Sequence, residues 1–360
     1  MSSEPPRFPY RISRIRSLLA DDVDAMLFLD MKNVRYLTGF TGSDGALLLK
    51  RDSLVLLVDG RYTTQAKEEA AGADIFEYKD KVKGIAETLA ENVIKAVGFE
   101  ATVISFETYE KLREKVSDVR LFPIAGNYGV RMIKDEGEIV LLRKAASLAS
   151  QAFEDVRDLI RPGARERDIA LELEYRMRLN GAEGVSFTTI VASGRNSALP
   201  HATAGARKLS PGDALVIDFG AIYEGYHSDE TCTFFLVHAS DSQKEAYDIV
   251  KEAHDRALAA MKAGVSCFDI DRIARSCIED GGLGKFFSHG TGHGIGLDVH
   301  ELPKIAAASE NILEPGMVVT VEPGVYIPGL WGIRIEDAVL VKEEGCEVLT
   351  KIPKNFSLLN

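Results

Sequence analysis

The sequence is poor in cysteine and carries too little positive charge to balance its acids. Its 360 residues include four cysteines, none in a Cys-x-x-Cys pair, which argues against a zinc knuckle or a thioredoxin-type motif. Lysine and arginine number 43 against 55 aspartates and glutamates, giving a formal net charge of −12. Proteins that bind nucleic acid or a membrane surface through charge need basic patches, so we expect neither kind of partner.

Long apolar runs are absent as well. No stretch approaches the roughly 18–20 apolar residues that a membrane-spanning helix needs. The first ten residues are polar and proline-rich and lack the apolar segment of a secretory signal. Four scattered cysteines are typical of a protein that keeps its thiols reduced. We therefore expect a cytoplasmic protein.

The residues that are present predict two domains. Hydrophobic residues make up 46% and charged residues 27% of the chain, as in ordinary globular proteins. Up to about residue 125, short apolar runs at residues 25–29 and 54–58 alternate with helical segments, which is typical of an α/β domain. In this part we also predict a helix over residues 82–96 and a strand over residues 102–106.

The later part of the chain predicts an α+β domain. Helical spacing over residues 136–160 and 167–180 precedes two β-rich segments, at residues 214–237 and 317–341, which have the pattern of hairpins. Further helices lie between them. We therefore predict a smaller α/β domain over residues 1–128, followed by an α+β domain over residues 129–360.

Each of the two hairpins presents a pair of acids. Folding the first about Tyr223–Glu224 places Asp218 opposite Asp229. Folding the second about its Pro-Gly-Leu turn places Glu322 opposite Glu336. Opposed like charges destabilise a sheet, and all four acids lie in apolar strands. One explanation is a pair of solvent-facing edge hairpins. The other, which we favour, is that the carboxylates hold divalent cations.

A glycine-rich segment carries three of the seven histidines, namely His289, His293 and His300. Its alternating glycines disfavour a helix and favour an extended, closely packed backbone. It lacks the lysine and hydroxyl residue of a phosphate-binding loop, so we favour metal binding or acid–base chemistry. His201 lies in a polar loop, where a histidine alone would be an exposed surface residue. We predict that the other histidines are exposed surface residues of this kind: His227, His238 and His254.

Taken in order, the acids and one histidine resemble the metal-ligand set of the pita-bread metallopeptidases: Asp218, Asp229, His293, Glu322 and Glu336. The resemblance includes the eleven-residue spacing of the aspartates, the glycine–histidine run, Val-Glu-Pro-Gly at 321–324 and Ile-Arg-Ile-Glu-Asp at 333–337. Residues 33–43 resemble the creatinase-type N-terminal domain of the proline-specific branch. The fold implied is a creatinase-type α/β domain followed by a pita-bread catalytic domain of the α+β class.

The resemblance also implies a chemistry, namely hydrolysis of the bond before proline by a homodimeric enzyme with two metal ions. Asp229 and Glu336 would bridge the ions, Asp218 would complete one shell, and His293 and Glu322 the other. A water between the ions would become the nucleophile, with Glu322 as proton shuttle. Because four of the five ligands offer oxygen, we expect Mn²⁺, with Co²⁺ or Zn²⁺ as alternatives.

Four further residues complete the site that the resemblance implies. His201, His289 and His300 would line the pocket, orient the substrate and stabilise the oxyanion. Arg334 lies two residues before Glu336 and would hold the carboxylates in place.

The exact reaction is open between two activities. The Phe-Thr-Gly-Ser segment at 40–43 looks like aminopeptidase P, whereas prolidases often carry an arginine where this chain has Lys304, which cannot grip a carboxylate with two donors. We therefore expect an Xaa-Pro aminopeptidase acting on proline-containing peptides, with Xaa-Pro dipeptidase as the alternative. A non-catalytic binding protein is more remote, because such a protein would normally have lost a ligand. A mononuclear iron oxygenase would need fewer carboxylates.

Overall fold

The computed structural model describes residues 7–70, 72–124 and 129–360. The chain divides into two units, Met1–Arg131 and Met132–Asn360. The predicted domain boundary adjoins residues 125–128, which lie outside the described residues. Residues 1–6, part of the segment in which we expect no secretory signal, lie outside them too. None of the described helices combines the length and the apolar character that a membrane span requires.

The first unit is a mixed sheet covered by helices. Its helices are α1 (Arg7–Ser17), α2 (Met31–Thr38), α3 (Thr63–Glu69), α4 (Lys81–Glu91) and α5 (Phe106–Lys115). Its strands are β1 (Ala25–Phe28), β2 (Ala46–Lys50), β3 (Leu54–Asp59), β4 (Asp74–Tyr78), β5 (Ala96–Glu100) and β6 (Arg120–Ile124). Within the described residues the strand order is β4-β3-β2-β1-β5-β6, and only the β1–β2 and β2–β3 pairs are antiparallel.

Part of the secondary structure predicted for this unit is wrong. Helix α4 ends at Glu91, residues 101–104 form turns, and the strand of this region is β5. A Cβ at Gly98 of β5 would lie 2.4 Å from Met26 Sδ on the paired strand β1, so a larger residue there would require the Met26 side chain to move. The β-branched residues at 102–106 have the higher strand propensity, but packing within the sheet decides the outcome.

The second unit contains two pairs of helices and several small sheets. Its helices are α6 (Glu136–Val156), α7 (Glu166–Leu179), α8 (Asp241–Ala260) and α9 (Cys267–Asp280). Its strands up to α8 are β7 (Gly184–Val185), β8 (Ile190–Ser193), β9 (Ala214–Phe219), β10 (Ala221–Tyr223), β11 (Tyr226–His227) and β12 (Glu230–Leu236). After α9 come β13 (Gly292–Gly294), β14 (Glu301–Ile305), β15 (Val318–Val321), β16 (Gly324–Ile327), β17 (Trp331–Arg334), β18 (Asp337–Val341), β19 (Cys346–Val348) and β20 (Leu358–Leu359).

Each helix pair packs on its own sheet. Helices α6 and α7 cover strands β8, β9 and β12, where Phe153 stacks on Phe219 and Phe234 with ring centroids 5.8 and 5.3 Å apart. Helices α8 and α9 cover strands β15 and β18 through an apolar core that includes Val250 and Val319. Capping boxes start α6 and α8, the first helix of each pair. Among the described residues, a single β-bridge joins these two sheets, and it pairs Thr231 of β12 with Glu336, which directly precedes β18.

Candidate metal centre

The first hairpin carries Asp218 and Asp229, but its predicted register is wrong. Strands β9 and β12 place Asp218 opposite Thr231, two residues beyond Asp229. The tip turns at Glu224–Gly225, where both residues have positive φ, of 44° and 76°. The centre of the turn therefore lies one residue later than predicted, although a glutamate rarely adopts this conformation. Because residues two apart share a strand face, both aspartates still lie on the same side.

The second hairpin carries Glu322 and Glu336, and its predicted register is confirmed. Val321 lies opposite Asp337 in the β15–β18 ladder, and the same register continues between β16 and β17. Positions 322 and 336 therefore face each other at the interruption between these two ladders.

At this interruption the backbone turns to other segments. The N–H of Glu322 donates to the carbonyl of Thr291 at 2.7 Å, which ties the hairpin to the glycine-rich segment. The N–H of Glu336 donates to the carbonyl of Thr231 at 3.1 Å, which ties it to the first hairpin. Both acids thus lie where three chain segments converge.

His293 lies on β13, between β14 and β15, and the extended, closely packed backbone predicted there is confirmed. A Cβ at Gly292 would lie 2.0 Å from the carbonyl oxygen of Thr320, so only glycine allows this approach. The imidazole Nδ1 of His293 donates to the carbonyl of Gly294 at 3.1 Å. This tautomer leaves Nε2 with a free lone pair that faces the acids.

These segments gather the acids and His293 into one cluster. His293 Nε2 lies 3.7 Å from Asp229 Oδ2 and 3.6 Å from Glu322 Oε1. One ligand atom from each of Asp229, His293 and Glu336 lies within 4.8 Å of the other two. Such separations are too long for hydrogen bonds, yet they suit ligands that share an ion at about 2.0–2.6 Å from each donor.

Arg334 connects acids from both hairpins. Its Nη2 donates to Asp218 Oδ2 at 2.6 Å and its Nε donates to Thr231 Oγ1 at 3.2 Å. The Thr231 hydroxyl in turn donates to Glu336 Oε2 at 2.6 Å. The other oxygen of Asp218, Oδ1, is buried and has no hydrogen-bond partner among the described residues. A buried carboxylate oxygen left in this way is costly, and a bound cation would satisfy it.

The protonation behaviour of the cluster has a common cause. Burial, together with the neighbouring carboxylates, raises the pKa of Asp229 and Glu336 well above the ordinary range. Burial, with a smaller contribution from Asp218, also raises the pKa of Glu322 to about 7. Burial lowers the pKa of His293 to about 4, so its imidazole stays neutral, as a metal ligand must.

The residues present therefore fit divalent metal ions. The cluster holds four buried or half-buried carboxylates. Within the described part of the chain one guanidinium, that of Arg334, partly balances them, and it contacts Asp218 directly. They can all ionise at neutral pH only if further positive charge enters the cluster. An oxygen-rich set with one imidazole and an unpartnered carboxylate oxygen suits hard or borderline divalent ions.

Beside the acids, Tyr326 links a histidine to Arg334. The Tyr326 hydroxyl lies 2.9 Å from His289 Nε2 and accepts a hydrogen bond from Arg334 Nη1 at 2.7 Å. His289 Nδ1 donates to the carbonyl of Gly290 at 2.8 Å, so its Nε2 accepts the phenol proton. Burial lowers the pKa of His289 to about 4 and raises that of Tyr326 to about 12. Sequence reasoning missed Tyr326, although strand alternation from Glu322 could have found it.

The two remaining predicted histidines lie at the edge of the cluster. The rings of His300 and His293 have centroids 4.2 Å apart. Burial is the largest cause that lowers the pKa of His300, and the exposed His201 lowers it further. The structure thus brings every predicted site residue into one region of the second unit. Their individual roles stay predictions.

A pair of charged residues on α9, also missed from the sequence, fixes the glycine-rich segment. Asp271 accepts hydrogen bonds from the N–H and the hydroxyl of Thr291 at 3.1 and 2.9 Å. Arg275 forms an ion pair with Asp271 and donates to the carbonyl of His289 at 2.8 Å. The helical spacing of four residues was the available signal, but such pairs are common on helix surfaces.

Two segments of the chain match known protein families. Residues 140–343 match metallopeptidase family M24, and residues 11–133 match the creatinase/prolidase N-terminal domain. An Xaa-Pro dipeptidase from Pyrococcus furiosus is 39% identical over 339 residues, which cover 93% of this chain and 96% of the relative.

Two solved structures extend the comparison to the fold. An Xaa-Pro dipeptidase from Bacillus anthracis is 40% identical, with a TM-score of 0.94 over 98% of this chain and 99% of that chain. An X-Pro aminopeptidase from Thermotoga maritima is also 40% identical, with a TM-score of 0.88 over 96% of this chain and 99% of that chain.

The fold and the site define a metallopeptidase with a creatinase-type N-terminal domain and a pita-bread catalytic domain, which confirms the predicted fold class. The chain belongs to metallopeptidase family M24. Membership implies that divalent metal ions are its cofactors.

Proposed function

We propose that this chain is an Xaa-Pro dipeptidase, which hydrolyses the peptide bond between the N-terminal residue and proline in a dipeptide. The observation that carries the proposal is the likeness to the Bacillus anthracis Xaa-Pro dipeptidase, with a TM-score of 0.94. The Pyrococcus furiosus relative is also an Xaa-Pro dipeptidase. These likenesses favour the dipeptidase over the aminopeptidase that the sequence alone led us to prefer.

We assign the metal ions to the acid cluster. Their ligands would be Asp218, Asp229, His293, Glu322 and Glu336, with Mn²⁺ as the proposed metal because oxygen donors dominate. When bound, the ions polarise the scissile carbonyl and lower the pKa of a water molecule toward neutrality. Arg334 holds Asp218 and, through Thr231, orients Glu336.

Glu322 is the proton carrier in this proposal. Its side chain is 20% exposed, against 12% for Asp218 and 6% for Asp229, so it is the most accessible of these acids. An accessible carboxylate beside the reacting atoms can take a proton from the attacking water and pass it to the leaving proline nitrogen. His300 and His201, the exposed histidines at the rim, can donate hydrogen bonds to the developing oxyanion.

Lys304 offers a physical reason for a preference for dipeptides. It is exposed, and it lies opposite His293 in the β13–β14 ladder. Opposed residues of an antiparallel pair project to the same face, so the Lys304 ammonium projects toward the side that carries the cluster. There it can pair with the C-terminal carboxylate of a dipeptide, although without the two-donor geometry of arginine.

The test compares Mn²⁺-loaded protein on Ala-Pro, Ala-Pro-amide and Ala-Pro-Ala. We expect cleavage of Ala-Pro, with slower cleavage of the amide because it lacks the carboxylate. Lys304→Met should raise KM for Ala-Pro and leave KM for the amide unchanged. Cleavage of Ala-Pro-Ala alone would overturn the dipeptidase assignment, and cleavage of none of the three would overturn the peptidase assignment for proline-containing substrates.

The second candidate function is Xaa-Pro aminopeptidase. It is favoured by the Thermotoga maritima structure, which is as similar in sequence as the dipeptidase structure, and by the segment at residues 40–43. The homodimer and the cytoplasmic location implied earlier stay predictions. The oligomeric state can be measured by light scattering on the same Mn²⁺-loaded sample.

A further inference from the structure

A second layer of buried acids lies directly behind the acid cluster. Glu230 follows Asp229 in the chain, and Asp337 follows Glu336. Successive strand residues point to opposite faces, so this second pair points away from the cluster. Glu230 is completely buried and Asp337 is 5% exposed. Each hairpin therefore contributes one acid that faces the cluster and one that faces away from it. We call the two acids that face away, Glu230 and Asp337, the rear acids.

A single lysine from the C-terminal segment joins the two rear acids. Lys354 Nζ lies 2.5 Å from Glu230 Oε1 and 3.4 Å from Asp337 Oδ1. It also lies 3.2 Å from Cys232 Sγ, and the lysine is 8% exposed. Burial opposes its charge, but Cys232, Glu230 and Asp337 outweigh burial and keep the pKa of Lys354 above the ordinary value.

The remaining oxygens of the rear acids are held by neutral donors and one histidine. Ser150 Oγ donates to Glu230 Oε2 at 2.7 Å, and Thr350 Oγ1 donates to Asp337 Oδ1 at 2.5 Å. The prediction that His254 is a surface histidine is wrong, because this residue is buried and its Nε2 lies 3.2 Å from Asp337 Oδ2. Both acids are thus fixed in position, and Lys354 is the group that contacts both of them with a full positive charge.

We propose that Lys354 is a positioning residue for the metal centre, tying Glu230 to Asp337 so that Asp229 and Glu336 stay at the separation that the ions require. The proposal rests on the ligand set proposed above. Peptide bonds connect each rear acid to its front neighbour, so separation of the rear pair would separate the front pair. Without the ammonium, two buried carboxylates from different hairpins would repel each other in a low-dielectric environment.

The test substitutes Lys354 and measures Mn²⁺ binding by titration calorimetry on metal-free protein. Lys354→Met should weaken Mn²⁺ binding by roughly 10- to 100-fold, the usual effect of losing a residue that holds metal ligands. Lys354→Arg keeps the charge and should bind Mn²⁺ nearly as tightly as the wild type. Lys351→Met is the matched control, because this lysine is exposed in the same segment, and it should leave binding unchanged. Activity of Lys354→Met should fall more at limiting than at saturating Mn²⁺.

Near-UV circular dichroism and thermal unfolding show first whether each variant is folded. A folded Lys354→Met that binds Mn²⁺ as tightly as the wild type would overturn the proposal. If it does not fold, Lys354→Gln, which keeps a donor toward Glu230, is measured in the same way. Failure of both neutral variants to fold, with Lys354→Arg folded, would show a purely structural role and would also count against the proposal.

This titration separates the inference from the proposed function because it uses no substrate. Wild type that binds Mn²⁺ but cleaves no Xaa-Pro peptide would contradict the function and leave the role of Lys354 intact. Wild type that cleaves Ala-Pro, alongside a folded Lys354→Met with unchanged Mn²⁺ affinity, would contradict the role of Lys354 alone.

Discussion

Without bound metal, Glu322 should make the protein less stable as the pH rises through neutrality. Burial is the largest cause that raises the pKa of this carboxyl from 4.5 to about 7. A carboxyl whose pKa is higher in the folded state stabilises that state fully below its unfolded pKa. The stabilisation is lost as the pH rises through the folded pKa. The window for Glu322 therefore runs from about pH 4.5 to about pH 7.

The size of the effect follows from the shift. A rise in pKa from 4.5 to about 7 corresponds to about 3 kcal/mol. Two buried histidines act in the opposite direction, because the pKa of His289 and of His293 falls to about 4 in the folded state. Their contribution is present above their unfolded pKa and is lost as the pH falls. The difference between wild type and Glu322→Gln cancels the histidines and reports Glu322 together with its effect on the pKa of Asp229 and Glu336.

The assay is urea unfolding of EDTA-treated protein at several pH values between about 4.5 and 8. Relative to wild type, Glu322→Gln should gain about 3 kcal/mol in the free energy of unfolding across this range. Glu343→Gln, at an exposed acid, is the control and should run parallel to wild type. Saturating Mn²⁺ should remove the wild-type loss, because a bound ion favours the ionised carboxylate. A difference between wild type and Glu322→Gln that stays constant with pH would refute the reasoning.

Three further substitutions test the site. With saturating Mn²⁺, Glu322→Gln should lower kcat by roughly 10²–10⁴-fold, and full activity would contradict its role as proton carrier. Tyr326→Phe removes the hydroxyl between His289 and Arg334 and should lower kcat about tenfold with unchanged Mn²⁺ affinity by calorimetry; an unchanged kcat would argue against a function for this link. Arg334→Met breaks a buried pair with Asp218 and should cost about 3–5 kcal/mol in urea unfolding of the metal-free protein; a cost below 1 kcal/mol, well under the buried-pair range, would show that the pair is weak.

The acid cluster could be predicted from the sequence because strand alternation survives an error in register. The second hairpin has its turn at Gly329, where a positive φ of 76° suits glycine, so the pairing of Glu322 with Glu336 follows directly. The first hairpin turns at Glu224–Gly225, and the pairing of Asp218 was misplaced by two residues. A shift of two keeps each side chain on its face, so the aspartates still converge.

Contacts between segments distant in the chain could not be predicted in this way. The Tyr326 hydroxyl meets His289 through packing of separate strands, and Lys354 reaches Glu230 across 124 positions of the chain. Neither contact leaves a periodic signal in the sequence. In the first unit, strand β5 was missed because it contains Gly98, which packs closely against Met26 and has little strand propensity of its own.

Anomalous diffraction from a crystal of the protein soaked in Mn²⁺ tests the metal centre most directly. We expect two anomalous peaks within the cluster, each about 2.0–2.6 Å from its ligand oxygens, with Asp229 and Glu336 contacting both. Asp218 should contact one ion, and His293 and Glu322 the other. No peak at the cluster, a single peak, or peaks bound by other side chains would contradict the dinuclear site.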